Sequence, residues 1–334
     1  MPIEPDIITR EPLNAETSWD ALREAVTPTS GFYTRNNHPI PAIAPAAWAL
    51  ALTGFSRALT LRHADLLARP SREIEVVLEC AGNGRTFFEP RPEGTPWRER
   101  AVACARFRGA PLADLLREAG VPEEAREIVF RGADGPFERS LPIETALDAD
   151  TLVAWEMNGA PLASRHGAPV RLVVPSWYGV ASVKWLVEAR ATSEPFRGHY
   201  QAERYVYQDA RDDLAPRPVR EKRVNSLIVT PRPDAVISSG RVEVRGWAWS
   251  HVPIARVEVS LDAGRSWQDA ALDAPRGPHA WRGWRLDARL DEGAIILSRA
   301  HDAAGNAQPE RAAWNVYGYG NNATRPRVVR FQSS

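Results

Sequence analysis

Cys80 stands in ECAGNGR, where an apolar run ends and a loop with glycines at 82 and 84 begins. A free cysteine usually behaves as a small buried apolar group. Beside a loop whose backbone amides face a common point, and with Arg85 five positions on, the thiol meets positive potential that lowers its pKa. Thiolate is the form that bonds soft metals. Cys104, in RAVACARF, has no such loop and reads as ordinary packing.

Arg35, Arg85 and Arg106 form a second group. Each taken singly reads as a solvated surface charge. Together they are the side chains suited to a planar oxyanion, because a guanidinium gives two N–H groups to two oxygens at once. Arg35 has the better setting, between Tyr33 and Asn36 in a loop closed by Pro39 and Pro41, whereas Arg106 is followed closely by Arg108.

His166, Arg171 and Lys184 lie in HGAPVRLVVPSWYGVASVKW, which opens as a polar turn and becomes buried-strand material. His166 capping a turn and cations decorating strand ends would be the simple reading. Lys184 sits between Val183 and Trp185, and charged residues are seldom buried without a partner, so an anionic ligand is the expected partner. Tyr205 and Tyr207, in ERYVYQ, share a strand face, and the choice between them stays open.

Several elements must position these groups. Short helices are expected at Trp19 to Ala25 and His63 to Ala68, with the polar loop GFYTRNNHPIP between them. Glu73 to Leu78 is a β-type run that places Cys80 at a strand-to-loop transition, where a rigid element can hold a group and a loop can expose it. Residues Ala110 to Ala119 read as a helix with Leu112, Leu115 and Leu116 on one face, ended by Gly120. Glu127 to Arg131, Thr151 to Glu156, Val170 to Pro175 and Val183 to Arg190 read as strands. They lack the regular alternation of a doubly wound sheet, so the class is α+β.

From Ala210 to Arg223 the chain is charged and proline-bearing, which reads as a linker. Beyond it nearly everything is β. Arg256 to Leu261 and Trp284 to Leu290 alternate with period two, Ala294 to Arg299 is a further strand, and turns fall at Asp262 to Gly264 and in HDAAGN. These short strands predict an antiparallel immunoglobulin-like sandwich. The expected division is residues 1–221 for a mixed α+β domain and 222–334 for an all-β one.

The 334 residues exceed what one core usually organises. With 44% hydrophobic and 25% charged residues, a packed core is available throughout. Lysine plus arginine and aspartate plus glutamate number 42 each, so no bulk field draws in nucleic acid or an acidic membrane. Any anion site must be local. The two cysteines are too few for a disulfide framework, and the amino terminus is acidic and proline-bearing where a secretory signal would be basic and apolar. The expectation is a cytoplasmic protein, or a periplasmic one if a signal was removed before numbering. The longest apolar stretch, around Ala46 to Phe55, falls well below the roughly 20 residues that span a bilayer.

Taken in order, FYTRNNHPIP, ECAGNGR, WEMNGAPL, HGAPVRLVVP, SVKWL and WNVYGYGNN resemble the sulfite oxidase family, from about Gly31 to Phe331. CAGNGR followed by HGAPVR is the most specific pair. The resemblance implies that Cys80 binds molybdenum carried by molybdopterin. It implies that Thr34, Arg35, Asn36, Asn37, His38, Asp134, His166, Arg171, Ser182, Val183 and Lys184 hold the pterin and its phosphate. Arg35 and Arg85, with Arg106, Phe107 and Tyr317, fall at positions facing the substrate, and Tyr205 falls on an active-site tyrosine.

The activity implied is oxygen-atom transfer, oxidation of sulfite to sulfate, with electrons passed singly to an external carrier such as a cytochrome c. Neither a haem-b domain nor the C-x-x-C-H signature of c-type haem occurs, so no haem is expected in this chain. Phe107 stands where many family members have tryptophan, and Tyr317 where sulfite-oxidising relatives carry arginine. Loss of a buried cation would weaken anion binding or admit a less charged substrate. A nitrate or S-oxide reductase on the same cofactor is the alternative reading. The sandwich resembles the family's dimerisation domain, which implies a homodimer, and a non-catalytic binding module is the alternative of another class.

Overall fold

A computed structural model describes residues 3–209, 215–233, 235–237, 240–291 and 293–331. Its first half is built on two sheets. In one, the strand Arg72–Glu79 pairs antiparallel with Val102–Pro111, which pairs with Leu152–Met157; the last also receives Ala160–Pro161 and Arg171–Val173. In the other the order is Leu59–Arg62, Ala49–Thr53, Leu186–Thr192, Glu127–Gly132, Glu138–Pro142. Only the pairing of Ala49–Thr53 with Leu186–Thr192 is parallel within that sheet. Few helices accompany them, as the α+β expectation requires.

The helix expected at Ala110 to Ala119 runs Leu112–Ala119. Pro111 precedes it, since proline removes an amide that the first turn leaves unpaired anyway, and Gly120 ends it at φ +75. Leu112, Leu115 and Leu116 are fully buried against the second sheet's core. The helix His63–Leu67 also forms. Trp19 to Ala25 yields only the 3-10 turn Ala21–Arg23. The Leu22 and Ala25 carbonyls accept the indole N–H groups of Trp247 and Trp281, so tertiary contacts fix this segment.

Val183 to Arg190 differs as well, because the strand begins only at Leu186. Trp185 takes φ +51, a conformation uncommon for a bulky residue, and the turn it makes carries Lys184 inward.

Beyond Asn225 the chain forms two four-stranded sheets, the sandwich that the alternation predicts. Asn225–Thr230, Gly240–Trp249, Arg282–Leu290 and Ala271–Leu272 make one. Gln268–Asp269, Ile254–Ser260, Ile295–Asp302 and Arg327–Val328 make the other. Part of the expected linker, 210–214, lies outside the described residues. The rest is not loose: Arg217–Pro218 pairs with Val206–Tyr207, and Lys222 is buried, donating to the Trp177 carbonyl.

The two halves share a core. Val77, Val102 and Cys104 pack with Leu227, Trp249 and the stacked pair Trp247 and Trp281, whose rings lie 4.8 Å apart. Cys104 is wholly buried there, and burial pushes its thiol far above the usual range, in keeping with a packing role.

Candidate active site

The strand Arg72–Glu79 delivers Cys80 to the wall of a cavity that Arg35, Arg171, Lys184 and Tyr205 also line. The Cys80 amide donates to Ala101 at 2.8 Å, and its carbonyl accepts the Asn83 amide at 2.9 Å. Gly84 sits at φ +81 with the Arg325 guanidinium where a Cβ would lie, so glycine is required for the turn. Burial raises the Cys80 thiol, while Arg35, Arg85 and the Gly82 amide pull it back down. The cations expected from the sequence are present, but burial outweighs them in the bare protein.

Arg35 enters from the loop after Tyr33. It donates to Asn14 at 3.1 Å, to the Asn36 carbonyl, to Asn37 at 2.5 Å and to the Tyr205 hydroxyl at 3.2 Å. Asn37 also donates to that hydroxyl at 3.2 Å. Tyr205 lines the cavity, whereas Tyr207 lies on a separate groove beneath Arg223. The split follows from backbone geometry: Tyr205 has φ +53 and precedes the strand pair Val206–Tyr207, so the two rings leave different faces.

The far wall is cationic. The Arg171 guanidinium donates to the carbonyls of Leu172, His166 and Ser182 at 3.3, 3.0 and 3.1 Å, and burial lowers its pKa to about 10. Lys184 donates to the Asn36 side chain and, at 3.1 Å, to the Arg165 carbonyl. Burial and then Arg171 push its pKa well below the usual lysine range. His166 is 2% exposed; burial, then Lys184, Arg165 and Arg171, lower it to about 3, so it is neutral. Asp134 is the one carboxylate among the lining residues, and burial raises its pKa against the pull of Lys184 and His38.

Thr34, Asn36, Asn37 and Ser182 complete the lining among residues expected from the sequence. His38 and Val183 stand behind it. His38 is 2.7 Å from the Tyr200 hydroxyl, and Val183 is packed in the core, its carbonyl accepting from Leu172.

Four expected substrate residues are placed elsewhere. Arg106 points outward from its strand and pairs with Glu75 at 3.4 Å, because Phe107, the next residue, takes the inward position. Phe107 is wholly buried beneath Arg171, with the guanidinium carbon 5.5 Å from its ring centre, and does not line the cavity. Arg85 lies close enough to Cys80 to act on its thiol but outside the lining, its Nε donating to the Tyr317 carbonyl at 2.9 Å and its Nη1 to the Thr95 carbonyl at 2.8 Å. Tyr317 gives that carbonyl and stacks its ring under Arg204, outside the lining.

Arg165, Tyr33 and Phe137 line the cavity without having been singled out. Arg165 reads as a surface cation in sequence. Its membership in the 3-10 turn Ser164–His166 is the only signal that it shares a wall with His166.

The lining therefore holds Arg35, Arg165, Arg171 and Lys184 against one carboxylate. Such a cluster needs an anion to offset the desolvation of its charges. Asp134 Oδ1 and Thr34 Oγ1 are buried without hydrogen-bond partners, so polar groups of a ligand are needed too. Among the described residues no group of three His, Cys, Asp or Glu side chains could hold a bare metal ion. A metal on Cys80 must bring its other ligands with it, and the residues fit an anionic, phosphate-bearing organic cofactor with further polar groups.

Comparison with known proteins agrees. Residues 37–200 match the oxidoreductase molybdopterin binding domain, and residues 217–329 the Mo-co oxidoreductase dimerisation domain. Mouse mitochondrial sulfite oxidase is 36% identical over 95% of this chain, which spans 64% of that protein's length. Chicken sulfite oxidase is 37% identical over 93% of this chain and 74% of its own. The crystal structure of the sulfane dehydrogenase SoxCD from Paracoccus pantotrophus superimposes with a TM-score of 0.88 at 27% identity, covering 97% of this chain and 87% of that one. The chain belongs to the sulfite oxidase family of molybdopterin oxidoreductases.

Proposed function

We propose that this protein oxidises sulfite to sulfate by oxygen-atom transfer, passing electrons one at a time to a separate carrier such as a cytochrome c. The observation that carries the proposal is the cavity of Cys80 itself, walled by four cations and a single carboxylate. Bound molybdopterin would supply a metal centre able to exchange an oxygen atom and two electrons with the substrate.

The chain's own residues supply the rest. Cys80 gives the one protein sulfur to the metal as thiolate. Lys184, Arg171 and Arg165 neutralise the cofactor's phosphate, and neutral His166 adds a hydrogen bond without adding charge. Asp134 and Thr34 take up polar groups of the pterin. Arg35 faces the substrate oxyanion, and Tyr205, held by Arg35 and Asn37, orients it and moves a proton at its phenolic oxygen. The mainly apolar remainder, Phe32, Leu78 and Phe137, excludes water and strengthens every charge interaction within. The C-terminal sandwich pairs two copies into a homodimer.

The test is molybdenum analysis of protein made in a cofactor-competent host, followed by a substrate panel. One molybdenum per chain and sulfite-dependent reduction of an artificial oxidant are expected. Absence of molybdenum would overturn the cofactor assignment. Turnover of nitrate or an S-oxide with a reductant, in place of sulfite, would overturn the substrate.

A further inference from the structure

Glu79 is the residue before Cys80, 1% exposed, and lies outside the cavity lining. Its Oε1 accepts N–H groups from Asn83 at 3.0 Å and from Asn225 at 3.1 Å, and its Oε2 accepts the indole N–H of Trp249 at 2.8 Å. All three partners are donors, so the carboxylate group serves as an acceptor on both oxygens.

These partners come from two places. Asn83 belongs to the loop that carries Cys80, and its own Oδ1 accepts the Ala101 amide at 3.0 Å. Asn225 and Trp249 belong to the strands Asn225–Thr230 and Gly240–Trp249 of the sandwich. Asn225 extends the chain of bonds, its Oδ1 accepting from Gln308 at 3.0 Å, and Gln308 also donates to the Asn322 carbonyl at 3.2 Å. The sandwich thus reaches the back of the Cys80 loop through a buried side chain, in addition to the direct bonds that residues 317–321 make to that loop.

We propose that Glu79 is a positioning residue that fixes the Cys80 loop from behind and makes its geometry depend on the C-terminal sandwich. It touches neither cofactor nor substrate and acts through the backbone of Cys80 and through Asn83. A fully satisfied buried network of this kind specifies one arrangement, and loss of one member leaves its partners unsatisfied.

The inference rests on Cys80 as metal ligand, and chemical logic supplies a test that separates the two. In Glu79→Gln the amide oxygen can still face Asn83 and Asn225, but the new NH2 then opposes the Trp249 N–H. In Trp249→Phe the Oε2 of Glu79 loses its donor. Each single change leaves one polar clash or vacancy. The double variant removes the donor–donor clash but leaves the glutamine NH2 facing a ring with no acceptor, so one unsatisfied group remains as in either single variant.

Each single variant is expected to lower kcat about tenfold with KM for sulfite unchanged, since small displacements at a reacting centre act on turnover. Each should also shift the thiolate-to-metal absorption band. The double variant should stay within about threefold of the single variants in kcat and show the same band shift, whereas independent damage would add. Circular dichroism and molybdenum content confirm that every variant compared is folded and loaded. Parent-like kcat and absorption in both single variants, or additive loss in the double, would overturn the proposal. Cys80→Ser is the control: if it keeps metal and activity, the ligand assignment fails instead.

Discussion

The guanidinium of Arg35 donates to the phenolic oxygen of Tyr205 at 3.2 Å, joining residues 170 positions apart at the cavity wall. The pair puts a fixed cation and a proton-bearing hydroxyl at one place, which suits the oxyanion oxidation proposed above. Tyr205→Phe is expected to lower kcat about 100-fold while changing KM less. Arg35→Met is expected to raise KM for sulfite at least about tenfold, as loss of a charge-assisted hydrogen bond does. Steady-state kinetics of the two variants check both, and the reverse pattern would refute the division of roles.

Arg106 supplies the contrast. It lies on the outer face of its strand with Glu75 as partner, its side chain 49% exposed. Arg106→Ala should leave kcat and KM within about threefold, since exposed ion pairs contribute little. A KM rise like that of the Arg35 variant would return Arg106 to the substrate site.

His166 gives the cofactor-free protein a pH dependence. Its folded-state pKa of about 3 lies below the ordinary value of 6.5, so between them the unfolded chain binds more protons. The stability it supports is present above pH 6.5 and is lost as pH falls toward 3. Between pH 7 and pH 5 the loss is about 2 kcal/mol. Urea midpoints at the two pH values should show that decline, and His166→Gln should reduce it by that amount. An unchanged decline in the variant would refute the assignment.

Gly179 is tight for a mechanical reason. A Cβ there would lie 2.8 Å from the Tyr33 hydroxyl and 3.3 Å from the Glu79 carbonyl. Gly179→Ala should therefore push Tyr33 into the cavity and destabilise the fold by about 1 to 3 kcal/mol. Denaturant titration measures the loss, and molybdenum content should fall with it. Unchanged stability and metal content would show that Tyr33 has room to move.

Local pattern made much of this legible. The strand ending at Cys80 and the helix ended by Gly120 announce themselves by apolar period and glycine placement. Lys184 between Val183 and Trp185 betrays a buried cation by its neighbours. Long-range geometry stayed hidden. That Arg106 and Phe107 face opposite ways follows from the strand's period, but which face meets the cavity depends on pairing with Arg72–Glu79 and Leu152–Met157. The Nε–H of Arg85 goes to the carbonyl of Tyr317, 232 residues away, a contact that no local pattern announces. Glu79 gave no signal, because its partners Asn225 and Trp249 are brought to it only by the docked sandwich.

The segment around Tyr317 to Asn321 ties the C-terminal half of the chain directly to the loop of Cys80. Its carbonyl at 317 takes Arg85, the amide of Gly320 donates to Ala81 at 2.8 Å, and the Asn321 side chain donates to the Gly84 carbonyl at 3.0 Å. The turn after Cys80 is therefore completed by partners that lie 232 and 237 positions downstream in the chain. The metal-binding loop is thus closed only when both halves of the chain have folded against each other.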